Sequence, residues 1–324
     1  MTLEIKKGMV TIIVSSYNHS RFLRKRIDSF LNQTYLDIEI IVIDDCSTEN
    51  NIEILERYST NPKFKLFERK LNAGVFAVNN QGFEMGSGEF IIFANCDDNC
   101  NPLMVDSLVK ALNSNPNAGL AFCRSLMVNE FDEVIGDDYL IRERAFRYHC
   151  RDDAFIKGDL MYKFLMHSCV IPNMSAALIR RSCIDEIGLF RTHFKACGDW
   201  DLFFRIAENY DFYYISNPLN FFRQHVKTIR EATKGRITYN EFFSVLLPKI
   251  NNSNFSLSER IYFRHHIMYL WSIELVRLSF QGWKNFMHHA KLAASLDSLA
   301  IFLLPFAMLS RSIEISYKLV KRIF

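Results

Sequence analysis

Three near-continuous apolar runs, each closed by a polar cluster, constrain this chain most. Met9–Ser15 ends in Ser16-Tyr17-Asn18, Ile38–Ile43 in Asp44-Asp45-Cys46-Ser47, and Phe90–Ala94 in Asn95-Cys96-Asp97-Asp98-Asn99. Short runs rich in Val and Ile predict buried strands. Between and after them lie helical spacings: Arg21–Asn32 with Phe22, Ile27, Phe30 and Leu31, then Ile52–Tyr58, Phe76–Met85 and Met104–Leu112. Phe64–Phe67 predicts a further short strand and Asn72-Ala73-Gly74 a turn. Strands alternating with helices build βαβ units and a mainly parallel sheet. Such sheets take ligands beyond the carboxyl ends of their strands, where all three polar clusters fall.

The second half is less regular. Residues 131–160 are charged and irregular and predict a mobile loop. Ser175–Ile179 predicts a strand, Asp201–Glu208 a helix, and Asp211–Ile215 and Leu219–Phe222 two short strands; beyond about residue 239 the pattern is helical. A chain of 324 residues, 49% hydrophobic, can bury one large core or two modest ones. Residues 1–230 hold 27 Lys and Arg against 30 Asp and Glu, whereas residues 231–324 hold 12 against 6. A basic, aromatic tail on a near-neutral body points to anionic lipid or a partner surface, not to a nucleic-acid groove. The eight Cys form no CxxC pair and fit reduced thiols in a cytoplasm. Met1–Gly8 lacks an apolar signal region, and the longest apolar run, Leu299–Leu309, is too short to span a bilayer.

The chemistry concentrates in two places. The acids after Ala94 stand at a strand end, where carboxylates can hold a divalent cation. Gly198-Asp199-Trp200-Asp201-Leu202 opens an amphipathic helix and can bring a base to the same pocket. Metal-assisted group transfer follows from the pair. Val10–Asn18 resembles the opening strand of the family 2 inverting glycosyltransferases, which have the GT-A fold. Ile41–Ser47 is similar to their second strand and its acidic pair, and Asn72-Ala73-Gly74 through Asn79 and Gly82 to their next motif. Asn95–Asp98 falls where the family carries its metal-binding Asp-x-Asp, Gly198–Leu202 resembles the motif of the general base, and Phe222-Arg223-Gln224-His225 a late Arg-x-His element. The six motifs occur in the family's order over residues 9–225; the resemblance does not reach residues 231–324.

That resemblance implies an α/β, Rossmann-like GT-A domain over residues 1–230, with a nucleotide-sugar half to about 125 and an acceptor half from about 126. Residues 231–324 form a helical extension in contact with membrane or a second subunit. It implies donor contacts from Ser15, Tyr17, Asn18, Asp44, Asp45, Asn72, Gly74, Asn79, Asn95, Asp98 and Arg223, Mg²⁺ or Mn²⁺ on Asp97 and His225, Asp199 as base, and Trp200 and Asp201 on the acceptor side. The residues admit plainer readings beside these. Asp44 and Asp45 fit an Asx-turn or helix cap, Trp200 a core aromatic, Asp201 a helix cap, and Arg223 and His225 a surface cluster with Lys227 and Arg230. His265-His266 and His288-His289 suit solvated or interfacial positions.

Three positions depart from the family pattern. Asn95 replaces an acid, Gly198 stands where many relatives carry one, and Val78 where relatives carry an arginine for the diphosphate. The last leaves charge compensation to the cation, to Arg223, or to Arg142, Arg144, Arg147 and Arg151. The expected activity is transfer of a sugar from a nucleotide-sugar donor, UDP-linked as the first choice, to a glycan or lipid-linked acceptor in bacterial surface-glycan synthesis. The setting is cytoplasmic, peripheral to the inner face of the membrane, with homo-oligomer contacts through the C-terminal helices. A nucleotide-sugar hydrolase or a weakly catalytic scaffold are the alternatives. A nicotinamide dehydrogenase is excluded because no G-x-G-x-x-G follows the first strand, and no P-loop is present.

Overall fold

The computed structural model describes residues 4–171, 173–225, 236–251, 255–277 and 279–312. Its contacts divide the chain into two units, residues 1–193 with 198–226, and residues 194–197 with 227–324. The boundary expected at 230 lies outside the described residues.

The first unit is built on a sheet of ten strands among the described residues: β1 (Lys6–Ser16), β2 (Ile38–Asp44), β3 (Phe64–Glu68), β4 (Gly88–Asn95), β5 (Asn99–Cys100), β6 (Ala118–Val128), β7 (Val134–Asp137), β8 (Ala154–Ile156), β9 (Ala177–Arg180) and β10 (Asp211–Arg223). The order is β3-β2-β1-β4-β9-β6-β10-β5, with β7 on β6 and β8 on β10. β1, β2, β3 and β4 are mutually parallel, as the βαβ pattern requires. β9 runs antiparallel to both β4 and β6, joining this half to the parallel pair β6–β10.

Helices α1 (Ser20–Leu31), α2 (Asn51–Glu56), α3 (Val75–Met85) and α4 (Met104–Ser114) supply the crossovers, followed by α5 (Arg144–His149), α6 (Gly158–His167), α7 (Arg181–Ile187) and α8 (Gly198–Asn209). α1 buries Leu23, Ile27 and Phe30, spaced four and three apart, so one stripe meets the sheet. Val10, Ile12, Val14, Ile40, Val42, Phe90 and Ile92 form the core beneath it.

Two expectations are corrected here. Residues 131–160 are not a loop but carry β7, a 3-10 turn at Asp138–Ile141, α5 and β8. Asp211–Ile215 and Leu219–Phe222 are one strand, β10, whose pairing with β6 shifts register around Pro218. Proline lacks an N–H, and the irregularity accommodates it without ending the strand.

The second unit holds α9 (Arg236–Lys249), α10 (Leu257–Arg277), α11 (Ser279–Leu296) and α12 (Ser298–Phe302). Trp271 is fully buried between Phe243, Phe286 and His289. His289 is thus a core residue, not a solvated one. Arg264 and Asp297 form a buried ion pair at 2.7 Å. The Glu241 carboxylate accepts from the backbone N–H groups of Lys195, Ala196 and Cys197 at 2.7, 2.8 and 2.9 Å. No helix among the described residues is long and apolar enough to cross a membrane.

Candidate active site

Register aligns the polar strand ends. Ser15 pairs with Ile43 on one side and Asn95 on the other, and Ser16 with Asp44. One turn beyond this line, Asn18 sits at φ 51° and Cys46 at φ 64°, conformations that turn the chain sharply away from the sheet. Asn18 Oδ1 accepts from Thr48 N and Oγ1 and from Glu49 N, tying the first loop to the second. Tyr17 is left 43% exposed on the open side, the one large aromatic that these loops present to solvent.

The acidic pair organises these loops. Asp44 is buried and accepts from Ser16 Oγ, Ser47 N, Ser47 Oγ and Asn51 Nδ2. Asp45 accepts from Ala73 N and Gly74 N at 2.8–3.1 Å and pairs with Arg69 at 3.1 Å. Asn72 Nδ2 donates to the Asp45 carbonyl. Gly74, at φ +85°, precedes α3 in a conformation that side-chain-bearing residues rarely adopt. Asp44 and Asp45 thus both make the turn contacts that their place at the strand end allows. Asn79 is buried on α3 with an Oδ1 that finds no hydrogen-bond partner among the described residues.

Beyond β4, two adjacent aspartates part company. Asp97 Oδ2 lies 2.9 Å from His225 Nε2. Burial pushes the Asp97 carboxyl up, but the His225 hydrogen bond and the nearby His19 and His225 rings outweigh it and hold the group below its ordinary value. Asp98 points inward and accepts from Asn173 Nδ2 and Ser175 Oγ, both at 2.7 Å, and from Arg223 N at 2.9 Å. Burial first and the Asp97 charge second push it up to about 7. Asn95 gives its N–H to Ser175 and its amide to Asp98.

Arg223 is a brace rather than a phosphate contact. Its side chain is 1% exposed, and it donates to the carbonyls of Asp97 and Asn129 and to the Asp132 carboxylate. The donor contacts expected of Asp98 and Arg223 are thus replaced by internal bonds that fix Asp97. Val78 is also internal, packed with Ile41 and Ile43. Of the basic segment, Arg142 bonds Asp138 and the Cys169 carbonyl, Arg147 bonds the Arg142 carbonyl, and Arg144 and Arg151 are exposed.

The sequence reading missed His19. His19, Asp97 and His225 offer ligand atoms that all lie within 4.8 Å of one another. One carboxylate and two imidazoles suit a divalent ion, so these residues fit the implied cation. Lys227 and Arg230 lie outside the described residues.

Asp199 opens α8, half-buried, its Oδ1 accepting from Trp200 N at 2.8 Å. Gly198 lets α8 start against α3, since a Cβ there would meet the Phe76 ring at 2.7 Å. That explains why no acid stands at this position. Trp200 anchors its indole N–H on the Leu165 carbonyl at 3.0 Å. Asp201 does not cap the helix as expected; it is buried between Arg191 at 2.9 Å and Arg205 at 3.1 Å.

Fold and site together define an α/β enzyme whose carboxylates and imidazoles gather beyond the strand ends. The chain belongs to glycosyl transferase family 2, whose sequence profile matches residues 11–188, more than half of its length. It is similar to glycosyltransferase GlyA of Streptococcus pneumoniae serotype 4, 33% identical over 148 residues, covering 45% of this chain and only 19% of GlyA. GlyG of the same organism is 24% identical over 240 residues, covering 72% of this chain and 74% of GlyG. A crystal structure of S. aureus TarS in complex with UDP-GlcNAc superposes with a TM-score of 0.68 at 14% identity, over 96% of this chain and 91% of that one. The shared fold is GT-A, and the match spans less than half the length of the first of these curated relatives.

Proposed function

We propose that this enzyme moves a sugar from a nucleoside-diphosphate donor, UDP-linked, to a hydroxyl of a glycan or lipid-linked acceptor by a single inverting displacement assisted by a divalent cation. The observation that carries the reading is the Asp97–His225 pair at the end of β4, held by Arg223 beside the loops of β1 and β2. A departing nucleoside diphosphate gathers negative charge, and Asp97 and His225 would hold a cation that neutralises it. Few arginines are left to do so, since Arg223 is engaged and position 78 is a core valine. Asp199 takes the acceptor proton as the hydroxyl oxygen bonds the anomeric carbon, and the bond to the diphosphate oxygen breaks with its electron pair. Ser15, Tyr17, Asn18, Asp45, Asn72, Gly74 and Asn79 surround the donor, and Trp200 borders the acceptor.

The test is turnover of UDP-sugars with and without acceptor, in chelator and after Mg²⁺ or Mn²⁺ is restored, with the product anomer read by NMR. Asp97→Ala should abolish the rescue by metal. Full transfer in chelator, or a product that keeps the donor's anomeric configuration, would reject the scheme. Turnover without acceptor at the same rate would favour a hydrolase.

The second unit supports a role at a membrane surface. Leu299, Phe302, Phe306 and Leu309 are 58–70% exposed and recur at helical spacing. An apolar stripe beside a basic segment suits an interface rather than bulk water.

A further inference from the structure

We propose that His19 is a third protein ligand of the cation site, completing with Asp97 and His225 a face of two imidazoles and one carboxylate that selects Mn²⁺ or a later first-row ion over Mg²⁺. The inference rests on the reading that Asp97 and His225 hold a cation, and it concerns a residue that the motif resemblance did not assign.

His19 follows β1 and directly precedes α1, yet its side chain makes no capping hydrogen bond. Its Nδ1 lies 2.6 Å from the carbonyl oxygen of Tyr17. A carbonyl only accepts, so Nδ1 carries the hydrogen, and in the neutral ring Nε2 then keeps its lone pair. That Nε2 is buried and has no hydrogen-bond partner among the described residues. Leaving an acceptor buried and unsatisfied is costly, which makes a ligand the natural explanation. A histidine whose far nitrogen is pinned to a backbone carbonyl is how proteins orient and fix the tautomer of a metal-binding imidazole.

The ring packs edge-on against His225 with centroids 5.1 Å apart. His225 Nε2 and Asp97 Oδ2 are 2.9 Å apart, close to the ~3 Å between adjacent ligands on an octahedral ion with ~2.1 Å bonds.

The donor set determines the choice of metal. Mg²⁺ prefers oxygen ligands and keeps several waters, whereas imidazole nitrogen suits Mn²⁺ less than Co²⁺ or Zn²⁺ but far better than it suits Mg²⁺. One histidine leaves a site open to either kind of ion, and a second shifts it toward transition metals.

The experiment is metal binding by the full chain without sugar donor. Mn²⁺ affinity is read by EPR titration, nitrogen ligation by the ¹⁴N couplings of bound Mn²⁺, and Mg²⁺ affinity by competition. The parent should bind Mn²⁺ at least about 10-fold more tightly than Mg²⁺ and show two imidazole nitrogens. His19→Ala should lose one nitrogen coupling and at least about 10-fold in Mn²⁺ affinity, with Mg²⁺ affinity little changed. An unaltered thermal transition in chelator confirms that the variant is folded. If His19→Ala keeps both couplings and its Mn²⁺ affinity while Asp97→Ala loses binding, the role of His19 is overturned and the cation reading stands. If Asp97→Ala also leaves Mn²⁺ binding unchanged, the cation reading itself fails.

Discussion

At the scale of single residues, two aspartates two positions apart do different work. Asp199 is half-buried at the start of α8, whereas Asp201 is enclosed by Arg191 and Arg205. Asp199→Asn should lower kcat by about 10²–10⁴-fold with donor affinity retained, the signature of a lost general base. Isothermal titration with donor beside steady-state kinetics separates the two quantities, and near-parent turnover would assign the base elsewhere. Asp201→Asn should instead cost stability, roughly 2–3 kcal/mol in chemical denaturation. That is below the ~3–5 kcal/mol for a buried ion stripped of its partner, because Arg205 keeps the carbonyls of Ile187, Gly188 and Leu189. Asp97, His225 and Asp199 stand out in the sequence because each sits in a short local motif. It could not separate Asp98 and Arg223 from ligand-facing neighbours, since Asn173, Ser175 and Asp132, which engage them, are distant in the chain. His19 carried no signal at all: its only mark is a spatial meeting with Asp97 and His225, just beyond β4 and β10.

At the scale of elements, strands with both faces covered announced themselves and irregular ones did not. The Val and Ile runs, which have no helical alternative of that length, place the centres of β1, β2 and β4 but not the starts of β1 at Lys6 and of β4 at Gly88. β6 was missed: Ala118-Gly119 and Arg124-Ser125 dilute its apolar run. Glu39 also looks out of place within β2. It is buried, accepts from Thr11 Oγ1, Ser87 N and Ser87 Oγ, and pairs with Lys65, linking β1, β3 and the approach to β4. Burial raises its carboxyl, but the bonds from Lys65, Ser87 and Thr11 prevail and hold it below the ordinary value of 4.5. Its stabilisation is therefore present above about pH 4.5 and lost as pH falls through the lowered value. Glu39→Gln should lower Tm near pH 7, and the gap to the parent should narrow toward pH 3; a gap constant with pH would contradict this. The α3–α8 contact makes a different prediction. Gly198→Ala places a methyl 2.7 Å from the Phe76 ring and should cost about 1–3 kcal/mol by overpacking. Phe76→Leu should recover part of that loss in the double variant, and additive losses would argue against a shared contact.

At the scale of the whole molecule, the helical second unit is the part the family motifs say least about. Its helices were legible from their pattern, but its membrane role remains a proposal carried by the stripe at Leu299, Phe302, Phe306 and Leu309. Phe302→Ser with Phe306→Ser should abolish flotation with anionic vesicles while the folded content by circular dichroism is kept. Binding by the parent should weaken with salt, since surface attraction is screened over about 10 Å at 0.1 M. Equal flotation of parent and variant would remove the idea. The tail cations Lys318, Lys321 and Arg322 lie outside the described residues. Within this unit Glu241 accepts from the N–H groups of Lys195, Ala196 and Cys197. Glu241→Ala should cost stability, about 1–3 kcal/mol in chemical denaturation, because buried backbone N–H groups of residues 195–197 lose their acceptor. The four residues 194–197 belong to the second unit although they stand within the first unit's sequence. A chimera cut at a single point near residue 226 would therefore join one enzyme's 194–197 strip with another's Glu241 carboxylate. Recombination between relatives, natural or engineered, should succeed only where the 194–197 strip and the region around Glu241 travel together, so the heritable piece of this enzyme is discontinuous in its gene.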